Sequence, residues 1–203
     1  MAGANEYLAI VRSLIELSYV VTIFIMTKLV TNSNAQSYAI VVMGVSGCGK
    51  TSLAAAVAEA LGCPMLEGDV FHSDASQAKM SNGIPLTDTD RAGWLAELGQ
   101  LLASHQEGVV LSCSALKKSY RDLLRSHKAN LRFIYLDISP ATALARVASR
   151  TSDGSHFFPA TLVDNQFVTL EVPTGEAGVL TVDATEPLPE LVAQVQEWLQ
   201  VKR

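Results

Sequence analysis

From Ser37 onward the chain alternates between short apolar runs and longer stretches with apolar residues at helical spacing. The apolar runs are "YAIVVMG", "PMLEGD", "GVVLSCS", "LRFIYLDIS" and "GVLTVDA". They are rich in β-branched residues and lack polar alternation, as strands buried on both faces do. The helical stretches are "KTSLAAAVAEALG", stopped by Gly62, then Asp90–His105, Ala115–Arg125, Pro140–Arg150, Pro159–Glu171 and Leu188–Gln200. Such alternation predicts an α/β fold, a doubly wound parallel sheet of five strands with helices on both faces. No internal repeat or low-complexity segment breaks it, so residues 38–203 read as one domain.

Residues 1–37 do not share this pattern. Their apolar stretch "LSYVVTIFIMT" falls short of the ~20 residues that cross a bilayer. Extending it upstream takes in Glu16 and Arg12, which are costly in lipid. "SNA", ending at Ala35, has the small-x-small form of a signal cleavage site, whereas Glu6 and Glu16 speak against a transit peptide. The expectation is a poorly fixed, dispensable extension, or an upstream start codon with true initiation at Met26.

Composition narrows the class of partner. Hydrophobic residues are 49% and charged residues 17% of the chain, the balance of a globular protein. A net charge of -5 disfavours a nucleic-acid backbone, which calls for a basic surface. The three cysteines, Cys48, Cys63 and Cys113, lack metal-ligand spacing and suit a reduced, cytoplasmic compartment without membrane attachment.

The chemistry begins at "GVSGCGKT", residues 44–51, which fits G-x-x-x-x-G-K-[ST] between a strand and a helix. Gly44, Gly47 and Gly49, with Val45, Ser46 and Cys48 between them, let backbone N–H groups turn toward phosphate oxygens. The helix N-terminus adds partial positive charge. Lys50 reaches the β- and γ-phosphates of ATP, and the Thr51 hydroxyl suits Mg²⁺. No guanine-reading N/T-K-x-D motif follows. The third strand ends "VVLSCS" without a closing acid; the only apolar run closing in one is "FIYLD", at Asp137. These absences favour a small kinase over a GTPase switch or an ATP-driven machine.

Ligands of a doubly wound sheet sit beyond the carboxyl ends of its strands. Asp69 ends the second strand there and can accept a proton from a substrate hydroxyl; its bland alternative is a cap for the next helix. "KMSNGIPLTDTDRAGWL" has no clean period and reads as an irregular lid over an anionic substrate, supplying Lys79 and Arg91. Arg91 is the first candidate to grip a carboxylate through two parallel hydrogen bonds. An ion pair with Asp88 or Asp90 is the competing use for it. In "SALKKSYRDLLR", Lys117, Arg121 and Arg125 recur every four residues on one face, with Lys118 beside them.

Together with "GDVFH", "HFFPATLVDNQFVTLEVP" and "VDATEPL", these segments resemble the gluconate kinases, small P-loop kinases. The resemblance runs in order from about Ala39 to Leu188. It implies a nucleoside-monophosphate-kinase-like fold, ATP and Mg²⁺, phosphorylation of D-gluconate at its terminal hydroxyl, and often a homodimer. It also implies substrate contacts by His72, His156 and Gln166, and ATP coverage by Arg146 and Arg150. Two departures stand out: Ser73 and Ser76 occupy places where the family usually has proline and asparagine, and "RTSDGSH" is longer than the family pattern. A related kinase for another small acceptor, such as shikimate, and a non-catalytic gluconate sensor are the competing readings.

Overall fold

The computed structural model describes residues 37–152 and 160–200. The N-terminal stretch 1–36, His156 with its neighbours 153–159, and the side chain of Arg150 lie outside the described residues.

The first strand, β1 (Ala39–Met43), is buried along its whole length. It leads through the glycine loop into α1 (Lys50–Leu61), which Gly62 ends in the left-handed conformation. Then come β2 (Met65–Glu67), a single 3₁₀ turn (Gly68–Phe71), α2 (Asp74–Ser81), α3 (Asp88–Ser104) and β3 (Val109–Ser112). The second half adds α4 (Lys118–His127), β4 (Arg132–Asp137), α5 (Pro140–Ser152), α6 (Ala160–Thr169), β5 (Val179–Asp183) and α7 (Leu188–Gln200).

The strands form a five-stranded sheet in the order β2-β3-β1-β4-β5, every pair parallel. Side chains on β1 alternate between two cores, because successive residues of a strand face opposite ways. Ile40 and Val42 pack with Leu53 and Val57 of α1, Ala143 of α5 and Val195 of α7. Ala39, Val41 and Met43 pack with Leu98 and Leu102 of α3 and Leu124 of α4. Helices therefore cover both faces, as the alternation predicts.

Three local expectations need correction. The stretch Lys79–Leu95 is largely helical: α2 runs to Ser81 and α3 starts at Asp88. Thr87 and Asp90 close a reciprocal capping box at that start, and Trp94 and Leu95 are core residues. α2 has no apolar stripe for a sequence pattern to find; Ser73 caps it by accepting from the Ser76 N–H at 3.2 Å. The expected helix at Ala115 begins at Lys118, because Ala115 takes a positive φ of 43°.

Candidate active site

The phosphate loop lies where β1 ends and α1 begins. Gly47 has φ +85°, and a Cβ there would sit 2.6 Å from the Ala143 carbonyl oxygen, so helix α5 rests directly on the loop backbone. The Lys50 ammonium donates to the Val45 carbonyl at 3.2 Å, within its own loop. The Ser46 N–H donates to the Gln166 side-chain oxygen at 2.6 Å. Gln166, expected on the substrate side, is thus placed by α6 against the phosphate loop. Arg146 of α5 donates to the Cys48 carbonyl at 3.4 Å and to Ala184 at 2.9 Å, spanning from the loop to the end of β5. Cys48 is buried under the loop, and burial pushes its thiol up; it packs rather than reacts.

Thr51 donates to the Glu67 carboxylate at 2.7 Å. The sequence reading passed over Glu67, although it immediately precedes the Gly68–Asp69 pair. This hydroxyl–carboxylate pair at the first turn of α1 offers hard oxygen donors that fit Mg²⁺. Among the described residues no cluster of three or more metal-ligating side chains exists. Two side-chain donors are a partial coordination shell, in keeping with an ion that also binds phosphates and water.

Asp69 is exposed on the 3₁₀ turn that follows β2. It does not cap α2; Ser73 does. Its neighbours fix the turn. A Cβ on Gly68 would lie 2.5 Å from the Ser112 carbonyl, so the turn sits against the end of β3. The Trp94 indole N–H donates to the Gly68 carbonyl at 2.8 Å. His72 stacks on Trp94 with centroids 4.1 Å apart and is buried, with no partner for Nδ1 among the described residues. Burial lowers the His72 pKa; Asp69 opposes this and Arg91 adds to it. Asp69, His72 and Arg91 are thus electrostatic neighbours, although they come from a turn, a loop and a helix.

The lid cations divide sharply. Lys79 pairs with Asp90 at 2.7 Å, and this bond, with those from Thr87, holds the Asp90 carboxyl well below its usual range. Lys117 pairs with Asp88 at 2.7 Å, and Tyr120 donates to the same carboxylate. Arg91 pairs with neither acid. Its guanidinium donates to the Leu86 carbonyl and lies 5.9 Å from the Tyr120 ring centroid. Among the described residues it forms no ion pair with a carboxylate, although its charge is felt by the nearby Asp88 carboxylate.

The basic stripe of α4 is less uniform than its spacing suggests. Arg121 is completely buried. It donates to the Ala115 and Leu116 carbonyls at 3.0 Å each, to the Glu171 carbonyl at 3.0 Å, and to the Glu176 carboxylate. Those bonds use its donors to clamp the strained turn at Ala115, which in turn presents Lys117. Expected at the substrate, Arg121 is a brace instead. Lys118 is exposed and pairs with Asp122 along its own helix, away from the lid.

Comparison with known proteins agrees with this geometry. The family model described as an AAA domain matches residues 40–173. A probable gluconokinase of Schizosaccharomyces pombe is 47% identical over 71% of this chain and 79% of its own length. A gluconokinase of Gluconobacter oxydans is 42% identical over 83% of this chain and 94% of its own. The crystal structure of a gluconokinase from Sinorhizobium meliloti aligns with a TM-score of 0.71 at 45% identity, covering 81% of this chain and 98% of that one. A P-loop at the carboxyl end of a parallel sheet, an acid beyond β2 and relatives this similar over most of their length leave one conclusion: the chain belongs to the gluconokinase family of P-loop kinases.

Proposed function

We propose that the protein transfers the γ-phosphoryl group of ATP to the terminal hydroxyl of D-gluconate, giving 6-phosphogluconate and ADP. Asp69 takes the hydroxyl proton as the oxygen–phosphorus bond forms and the bond to ADP breaks. The loop amides and Lys50 bind the phosphates and stabilise the charge that develops on the transferred group. Thr51, backed by Glu67, would hold Mg²⁺, which when bound neutralises phosphate charge. Arg146, and Arg150 one turn further on, cover the nucleotide. Arg91 grips the gluconate carboxylate, with His72 beside it, while Lys79 and Lys117 hold the lid closed through Asp90 and Asp88.

The observation that carries this reading is the lid's charge pattern: Lys79 and Lys117 are each held in an ion pair, whereas Arg91 forms none among the described residues and is the cation open to a substrate carboxylate. ADP release measured with D-gluconate, shikimate and other sugar acids tests it. Turnover is expected with gluconate well above the rest. Faster turnover with shikimate would reassign the acceptor, and gluconate binding without ADP formation would make the protein a sensor.

A further inference from the structure

The phosphate loop and lid occupy the carboxyl ends of the strands. At the amino ends of β4 and β5 a separate cavity of about 1010 Å³ opens between α4, the segment 171–178 and Trp198 of α7. No residue of the phosphate loop, the 3₁₀ turn or α3 lines it. Its size is at the upper end of small-molecule sites.

The charge on its walls is opposite to that of the whole molecule. Four cations, Lys118, Arg121, Arg125 and Arg132, line it with two acids, Glu171 and Glu176. With Asp122, which pairs with Lys118 and Arg125, counted against them, a formal excess of one positive charge remains in a chain of net charge -5. Arg121 is fully engaged, as described above, but two guanidiniums are not. Arg125 bonds Asp122 at 3.1 Å and Glu176 at 3.0 Å through Nη1, and its guanidinium lies 4.6 Å from the Phe133 ring centroid, with Nη2 buried. Arg132 lies 5.2 Å from the ring centroids of both Tyr38 and Trp198. No ion pair with a carboxylate is formed by it among the described residues.

Guanidinium forks match the geometry of phosphate oxygens. A phosphate monoester carries about -1.5 to -2 charges at neutral pH, opposite in sign to the excess on the walls. The indole of Trp198 and the side chains of Leu131 and Val172 offer apolar surface for a carbon body.

We infer that this cavity is a second anion site, distinct from the catalytic centre, which binds a small organic phosphate monoester through Arg125 and Arg132. The test is calorimetric titration of the full-length protein with its catalytic site filled by gluconate and a non-hydrolysable ATP analogue. The probes are glycerol 3-phosphate, glucose 6-phosphate and inorganic phosphate. One saturable site for at least one ester is expected, weakened tenfold or more by Arg132→Gln and by Arg125→Lys. The second variant keeps the charge while removing the planar guanidinium fork. Three results would overturn the inference: no saturable heat with either ester, unchanged affinity in both variants, or inorganic phosphate binding as tightly as the esters. A shift in sedimenting mass on Arg132→Gln would overturn it too, by making the groove a contact between copies of the chain.

Discussion

The phosphate loop and the lid sit at the same end of the sheet but are built in different ways. The loop is local: eight consecutive residues set its backbone, and its glycines take conformations that other residues rarely adopt. The lid is assembled from distant pairs, Lys79 with Asp90 and Lys117 with Asp88, the second spanning 29 positions. A local device binds the part of a substrate common to all kinases of this kind, the phosphate chain. In the proposed function a long-range device decides which cation is left free, and so which acceptor is recognised. The difference separates chemistry from specificity, and substitutions on either side should separate with it.

The largest effect is expected from Asp69→Asn, which keeps the shape and removes the basicity. Turnover should fall roughly 10²–10⁴-fold, the usual worth of a general base, with the KM for ATP little changed. A mild loss would reduce Asp69 to a positioning role. Lys50→Ala comes next. Loss of one preorganised charge-stabilising group costs about 10²–10³-fold in turnover, and thermal unfolding should stay close to wild type because Lys50 heads a helix outside the core. Normal turnover would remove the loop from the chemistry. Glu176→Gln should act on stability instead. It leaves the buried Arg121 without its carboxylate, and breaking a buried pair from one side costs about 3–5 kcal/mol; chemical denaturation would measure it. If stability holds, Arg121 does not brace the turn at Ala115.

The smallest effect concerns pH. The folded pKa of His72 is lowered, chiefly by burial, so the unfolded chain binds the extra proton more readily. Its contribution to stability is full above the unfolded value of about 6.5 and is lost as pH falls from there toward the folded value. Melting temperature should drop across that window, and His72→Gln should flatten the drop. Asp90 titrates in the same sense but lower: its contribution is present above about 3.9 and is lost only in stronger acid. The lid clamp should therefore persist where His72 already responds.

Sequence made the sheet and the loop plain because both rest on short-range rules. Buried strands read as unbroken apolar runs, and a strand leading into G-x-x-x-x-G-K-[ST] has few other uses. The place of Asp69 beyond β2 was legible for the same reason; its part as proton acceptor is the proposal that Asp69→Asn tests. The lid was not. α2 lacks an apolar face, and α3 starts at a capping box whose meaning depends on Trp94 and Leu95 turning inward. Regular spacing misled in α4, where one face holds a cation that is fully buried at Arg121 and another that is exposed at Lys118. Glu67 and Gln166 became visible as loop partners only once α1, β2 and α6 were side by side, because no motif links residues so far apart in the chain.

The account rests most directly on Arg91 as the reader of the carboxylate. The measurement is kcat/KM for D-gluconate relative to sorbitol, its uncharged counterpart, in wild type and in Arg91→Lys, together with the KM for ATP. Removing one partner of a buried charge pair costs about 2–5 kcal/mol. Lysine keeps the charge but not the two-pronged grip, and this partial loss should lower the preference for gluconate roughly tenfold in the variant while the KM for ATP stays put. An unchanged preference, or equal losses for both acceptors and ATP, would contradict the assignment and pass the carboxylate to another group of the lid.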